Sequence, residues 1–328
     1  MCTAITLHTK DGNSLFGRTM DIEYNFGQSV VLSPSKFDFK DRIIGKQIKT
    51  KFAVIGMASV VEGYPLFAEG FNEEGLACAS LNFPQFCCYE KKTYETKINI
   101  APYNLVFYLL GQFKTLKEVE QSITNINLVE EPFSPNLPVP PLHWILTDKT
   151  GRSITIEKTK RGLEIHENPV GVLSNSPDFE WHMNNLRQYV CLTSQNPSPA
   201  LWGDFHINPY ALGKGLQGMP GDFSSASRFI RATYFKLHSI PESLEQGVIE
   251  FFHILRTVSM INGAVLTNDG KNAITQYTSC MALEEGKYFY HTYNNSQIQA
   301  IDFKSDIKNV SKLKIYPYED NFPSYLHC

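Results

Sequence analysis

The chain of 328 residues is 42% apolar and 19% charged and carries a formal net charge of -3. This is enough apolar material for a large buried core, and the charge balance provides no basic face for nucleic acid. No stretch approaches the ~20 apolar residues of a membrane span, and the opening CTAITLHTKDGNSLFGR has no apolar run of signal-peptide length, so neither feature is expected.

The chain begins Met1-Cys2-Thr3, so loss of Met1 would leave a cysteine bearing both a thiol and the free α-amine. An α-amine titrates near ~8, low enough to take a thiol proton at neutral pH, which makes Cys2 a candidate nucleophile with its own base. Residues 2 to 8 alternate as a strand, Asp11-Gly12 reads as a hairpin turn, and Ser14 to Arg18 as the returning strand. With a two-residue loop, opposed positions sum to 23, so Cys2 is expected to face Asp21. Arg18 then falls on the other face of the ribbon, and reaching Cys2 would need a bulge, for which Gly17 is the natural point.

Further strands are predicted at Phe52 to Val61, Leu66 to Phe71 and Leu76 to Leu81. Another set follows at Trp144 to Thr147, Ser153 to Lys158 and Leu163 to His166. Helices are predicted after Pro102, after the capping box Thr115-x-x-Glu118, after Ser176-Pro177 with the serine as cap, and over about 225 to 238 and 243 to 257. Strands at Ile274 to Leu283, Tyr288 to Tyr293 and Ile298 to Phe303 close the chain. Tight turns between strands favour an α+β protein with antiparallel sheets, and the absence of a repeat or flexible linker favours one domain over 1–328. The segment Glu131 to Leu142, with five prolines, reads equally as a binding wall or as a connector clamped to the core.

The seven cysteines, Cys2, Cys78, Cys87, Cys88, Cys191, Cys280 and Cys328, are odd in number and form no C-x-x-C pair. A disulfide framework or zinc site is not expected, and a reducing cytoplasm is the natural compartment. The nine histidines show no ligand spacing, so neither a metal nor a cofactor is implied.

Taken together, MCTAITLHTKDGNSLFGRTMDIEY, GLACASLNFP, PLHWILTD, GVLSNSPDFEWHMNNLRQY, MPGDFSSASRFIRATY, FFHIL and YTSC resemble the choloylglycine hydrolase family, the conjugated bile acid hydrolases and penicillin V acylases. The resemblance runs in unbroken order from Cys2 to about Phe303. It implies the N-terminal nucleophile hydrolase fold, a four-layer αββα sandwich of two antiparallel sheets between helix layers. It also implies the catalytic positions: Cys2 as nucleophile, Arg18 and Asp21 from the F-G-R-x-x-D run, Asn82 from L-N-F-P, Asn175 from L-x-N-x-P and Arg228 from S-R-F.

In this reading Cys2 attacks an amide as a thiolate and forms a thioester that water hydrolyses. Arg18 favours the thiolate, Asp21 orients the amine, and Asn82 and Asn175 stabilise the oxyanion, through a backbone N–H and a side-chain amide respectively. Taken alone, the two asparagines would read as turn residues and the Arg/Asp pair as structural.

Asparagine at position 82 puts the chain on the bile-salt side of the family, so the expected substrate is a small molecule, a glycine- or taurine-conjugated bile salt. Penicillin V is the alternative. A sterol needs apolar walls, for which Met20, Phe26, Val61, Phe67, Phe133, Leu137 and Leu142 are candidates, although each alone is as well read as core. Relatives are commonly homotetramers, which sets that expectation here. An inactive bile-acid binding protein on the same fold is disfavoured because every catalytic position is filled, and a cysteine-histidine hydrolase because no histidine completes a signature.

Overall fold

The computed structural model describes all residues except 41, 42, 44, 46 and 323–328; Cys328, one of the seven cysteines counted above, therefore lies outside the described residues. Among the described residues most strands assemble into two large sheets in which every pairing is antiparallel, and the rest form short two-stranded pairs. The six-stranded sheet has the spatial order Val172–Leu173, Cys2–His8, Ser14–Ile22, Ile274–Ala282, Lys287–Thr292 and Gln299–Asp302. The eight-stranded sheet runs Gly162–Glu167, Ser153–Thr159, Leu142–Thr147, Ala77–Asn82, Tyr64–Asn72, Val54–Val61, Gln28–Ser33 and Lys314–Ile315.

Period-two alternation sorts the apolar side chains into two cores. Ala53, Ile55 and Met57 point between the sheets together with Ala77, Ala79 and Leu81, whereas Val54, Ala58 and Cys78 point to the opposite face. There the helix Leu105–Gln112 covers the eight-stranded sheet, with Phe107 stacked on Phe67. Helices Ser225–His238 and Leu244–Arg256 cover the far face of the six-stranded sheet through Phe229, Phe251 and Leu255. The layers thus run helix, sheet, sheet, helix, the αββα order expected from the resemblance.

The first hairpin departs from the expected register. Cys2 lies opposite Met20 and Ala4 opposite Arg18, so paired positions sum to 22 rather than 23. The connection is a five-residue turn, residues 9–13, closed by the Thr9 N–H on the Asn13 carbonyl at 3.0 Å and carrying Gly12 at φ 91°. Asp11-Gly12 sits inside this turn and does not form it alone. A shift of one residue changes the face of every side chain on one strand relative to the other. Arg18 therefore shares the inter-sheet face with Cys2 without any bulge, and Asp21 turns toward the helix layer instead.

Gly17 is accordingly not a bulge point. It is required for close approach, since a Cβ there would lie 2.0 Å from the Ser279 carbonyl oxygen of the neighbouring strand. The irregularity lies in that neighbour, where the register with Ser14–Ile22 shifts between Thr275 and Tyr277. A second shift, between Met57 and Ala58, interrupts the pairing with Tyr64–Asn72.

Two other expectations are corrected. Ser176 does not cap the following helix: Phe179–Asn185 is capped by Asp178, which accepts the Trp181 N–H at 2.9 Å, while the Ser176 hydroxyl donates to the Pro84 carbonyl at 2.7 Å. The capping box at Thr115 is half formed, because Glu118 reaches back to the Lys114 N–H at 3.0 Å rather than to that of Thr115.

Candidate active site

The site lies at the start of the first strand, where the inter-sheet layer and the helix layer both reach Cys2. The Cys2 thiol is buried and accepts from Arg18 Nη2. Arg18 is held at its other nitrogens, with Nε donating to the Thr19 carbonyl at 3.1 Å and Nη1 to the Ser80 carbonyl in the facing sheet. Burial disfavours its charge, but the Cys2 sulfur, with Glu69 and Asp21 beyond it, prevails, so Arg18 is firmly protonated.

The backbone of Cys2 is fixed from the helix side. Its N–H donates to Asn175 Oδ1 at 2.7 Å, and its carbonyl accepts from Arg228 Nη1 at 2.5 Å. Arg228 also donates to Thr3 Oγ1 at 2.6 Å, to Asn175 Oδ1 at 2.7 Å and to the Phe223 carbonyl at 3.0 Å. Burial pulls its pKa down, with Asp21, 3.8 Å away, opposing. Asp21 accepts from Thr19 Oγ1 at 3.0 Å and Thr275 Oγ1 at 2.6 Å, so its carboxylate anchors the helix-facing layer. The group on the Cys2 nitrogen is Asn175, not the Asp21 expected from a register summing to 23. Met1 extends the first strand, its carbonyl accepting the Asp21 N–H at 3.0 Å.

Asn175 is itself tightly placed. Ser225 Oγ accepts its N–H and donates to its carbonyl, both at 2.8 Å, and His182 Nε2 donates to the same carbonyl at 2.8 Å. Its side-chain Nδ2 donates to the Asn82 carbonyl at 2.7 Å, joining the two asparagines across the sheets. The backbone alternation of Ala77–Asn82 explains which way Asn82 points. Phe83 N–H pairs with the Pro141 carbonyl at 2.7 Å, so the Asn82 N–H and carbonyl face away from Leu142–Thr147. They look toward the side on which Tyr64–Asn72 pairs only as far as Ala79. His143 steadies both segments, bonding the Ser174 carbonyl at 2.8 Å and stacking on Phe83 with centroids 4.3 Å apart.

The structure thus brings Cys2, Arg18, Asp21, Asn82, Asn175 and Arg228 together. The apolar candidates separate. Met20 Sδ lies 3.6 Å from Arg18 Nη2, and Phe26, Val61 and Leu142 are half-buried. Phe67 and Phe133 belong to the core under Leu105–Gln112, the former on Phe107 and the latter on Tyr64 and Tyr103, so the proline-rich segment is anchored there through Phe133. Leu137 is exposed. Sequence reasoning missed Thr3, Thr19, Thr275, Ser225, His182 and Glu69. Of these only Glu69 carried a visible signal, as a lone charge within the apolar run LFAEGF.

Residues 2–316 match the family model of linear amide C–N hydrolases, choloylglycine hydrolase family. A bile salt hydrolase/transferase of Clostridium perfringens is 45% identical over 97% of each chain, and one of Lactiplantibacillus plantarum 40% identical over 99% of each. A solved variant of conjugated bile acid hydrolase from Clostridium perfringens superposes with TM-score 0.94 at 44% identity, covering 100% of this chain and 99% of that one. Penicillin V acylase from Agrobacterium tumefaciens, at 19% identity, covers 96% of this chain and 90% of its own with TM-score 0.75, a likeness of fold. With Cys2 at the head of the matched region and the layered architecture shared, the chain belongs to the choloylglycine hydrolase family of linear amide C–N hydrolases.

Proposed function

We propose that the chain hydrolyses the amide of glycine- or taurine-conjugated bile salts through a thioester on Cys2, acting as one catalytic domain after removal of Met1. The observation that carries this reading is the Cys2 thiol seated on Arg18 with its nitrogen on Asn175, in a chain 45% identical to a bile salt hydrolase/transferase. With Met1 gone, the Cys2 nitrogen becomes the base that accepts the thiol proton, and Asn175 Oδ1 orients it. The sulfur attacks the amide carbonyl carbon and the carbonyl oxygen takes the negative charge. Asn175 Nδ2 carries two protons, one engaged by Asn82, which leaves one for that oxyanion; the Asn82 N–H supplies a second donor. Collapse expels glycine or taurine with the proton from the α-amine, and water, deprotonated by the same amine, releases the bile acid and regenerates the thiol. Met20, Phe26, Val61 and Leu142 are proposed as apolar walls for the sterol.

An added amine in place of water would yield a new conjugate, in keeping with relatives named hydrolase/transferase. No helix among the described residues is long and apolar enough to cross a membrane; we place the enzyme in the cytoplasm because its mechanism needs a reduced Cys2. We also propose a homotetramer. The hairpin Ala200–Trp202 and Phe205–Ile207 supports this reading, with Trp202 74% and Phe205 70% exposed and Leu212, shortly after it in the chain, 92% exposed, since clustered exposed apolar side chains mark interaction surfaces.

The test incubates wild type, Cys2→Ala and Cys2→Ser with glycocholate, taurocholate and penicillin V, measuring released amine together with intact mass. Turnover of the conjugated bile salts by a chain lacking Met1, abolished in Cys2→Ala, is expected. Activity in protein that retains Met1, or far faster penicillin turnover, would overturn the reading.

A further inference from the structure

Glu69 is a fully buried carboxylate that the hydrolysis above does not use. It projects between the sheets with Oε2 3.9 Å from Arg18 Nη1, whereas the Cys2 sulfur takes Nη2. Tyr277 donates its hydroxyl to Oε2 at 2.8 Å and Tyr288 donates to Oε1 at 2.9 Å. Burial pushes this carboxyl up, while the two hydroxyls and the guanidinium favour its charged form.

This arrangement depends on the two register shifts. Thr275 bonds Asp21 in the helix-facing layer while Tyr277, two residues on, reaches into the inter-sheet layer, which an unbroken strand would not allow. Phe67 likewise packs on Phe107, yet Glu69 turns the other way to meet Tyr277. Both irregularities serve to aim side chains at one point behind Arg18.

We propose that Glu69 is a positioning residue for Cys2: acting through Arg18, it shares the guanidinium charge with the sulfur and so sets the pH at which the thiolate forms. The groups around Cys2 are Arg18 and Asp21 from the neighbouring strand, Arg228 from the helix layer, Glu69 from the facing sheet, Tyr277 from the Ile274–Ala282 strand, and the chain's own amine. Both arginines are matched by a carboxylate, Asp21 for Arg228 and Glu69 for Arg18. Removing the Glu69 charge strengthens the pull of Arg18 on the sulfur. Too stable a thiolate is a poor nucleophile, since nucleophilicity falls with thiol pKa, which gives the counter-charge a purpose. Burial raises the Glu69 carboxyl while Arg18 and the tyrosine hydroxyls oppose, so loss of one hydroxyl favours its neutral form.

The inference rests on Cys2 being the nucleophile. The experiment follows the rate of Cys2 alkylation by iodoacetamide against pH, with kcat/KM in parallel, for the full chain in wild type, Glu69→Gln and Tyr288→Phe. The expected result is a midpoint lowered by at least about half a unit in Glu69→Gln, roughly threefold in thiolate fraction below it, and a smaller shift of the same sign in Tyr288→Phe. The acid limb of kcat/KM should move with it. A merely structural Glu69 would change stability and leave the midpoint in place. Unmoved or raised midpoints overturn the proposal, and Tyr288→Phe decides alone should Glu69→Gln not fold. Hydrolysis that survives Cys2→Ala would refute the nucleophile assignment, whereas an unmoved midpoint on an alkylatable, active Cys2 refutes only the role of Glu69.

Discussion

The Asn175 side chain holds three bonds at once, and replacing it separates two functions. In Asn175→Ala the Cys2 N–H, one nitrogen of Arg228 and the Asn82 carbonyl each lose a partner at 2.7 Å. A neutral hydrogen bond contributes about 1 kcal/mol and one from a charged donor about 2. Asn82 is exposed, so water replaces its bond, which leaves a stability loss of about 3 kcal/mol. Turnover should fall further than stability explains, by about 10²- to 10³-fold, through loss of an oxyanion donor. Asn175→Asp distinguishes the two effects, because a carboxylate keeps both acceptor bonds and gains charge against Arg228, while it loses the donor and sets an oxygen against the Asn82 carbonyl. It should lose less than half as much stability as the alanine variant, as measured by guanidinium melts, yet release amine from conjugated bile salt just as slowly. Turnover of Asn175→Asp within tenfold of wild type would refute the donor role, and an unchanged melt for Asn175→Ala would refute the anchoring role.

Gly17→Ala drives a methyl against the Ser279 carbonyl, where backbone must move, so it should cost about 3 kcal/mol or more and lower the guanidinium midpoint sharply. His182 is pulled down to about 4 by burial, with His143 and Arg228 adding to the effect and the Asn175 carbonyl opposing it. Unfolding therefore takes up a proton between pH 6.5 and 4. His182 contributes stability in full above pH 6.5 and loses about 3 kcal/mol of it as the pH falls to 4. His182→Gln, which keeps a donor for Asn175, should flatten the stability-versus-pH slope between pH 6.5 and 5 relative to wild type. Trp202→Ser with Phe205→Ser should reduce the mass in solution by light scattering while leaving the melt of the fold unchanged; an unchanged mass would remove this hairpin from the interface.

The alternating strands, the capped helices at 225 and 243 and the antiparallel character were legible because each depends on local pattern. The strand Gln28–Ser33 was not foreseen. Its pairing with Val54–Val61 spans a long intervening segment, and no tight turn announces it. The register error at residues 9–13 arose because Asp11-Gly12 satisfies the local signal for a two-residue turn, while the Thr9–Asn13 closure is set by backbone geometry that composition does not encode. The candidate catalytic set, spread from Cys2 to Arg228, could be grouped only through family resemblance. Glu69 escaped even that, because its meaning depends on two bulges, and a bulge leaves no consistent mark on residue type.

The pairing of the first two strands, rather than the length of the turn that joins them, keeps Arg18 on the thiol. A one-residue slip of that pairing would swap the faces of the second strand, sending Arg18 into the helix layer and Asp21 toward the thiol. Residues 10–12 are exposed, and a residue added there can be looped out with the pairing intact, so a change of turn length should leave activity in place, whereas any change that slips the strands should abolish it.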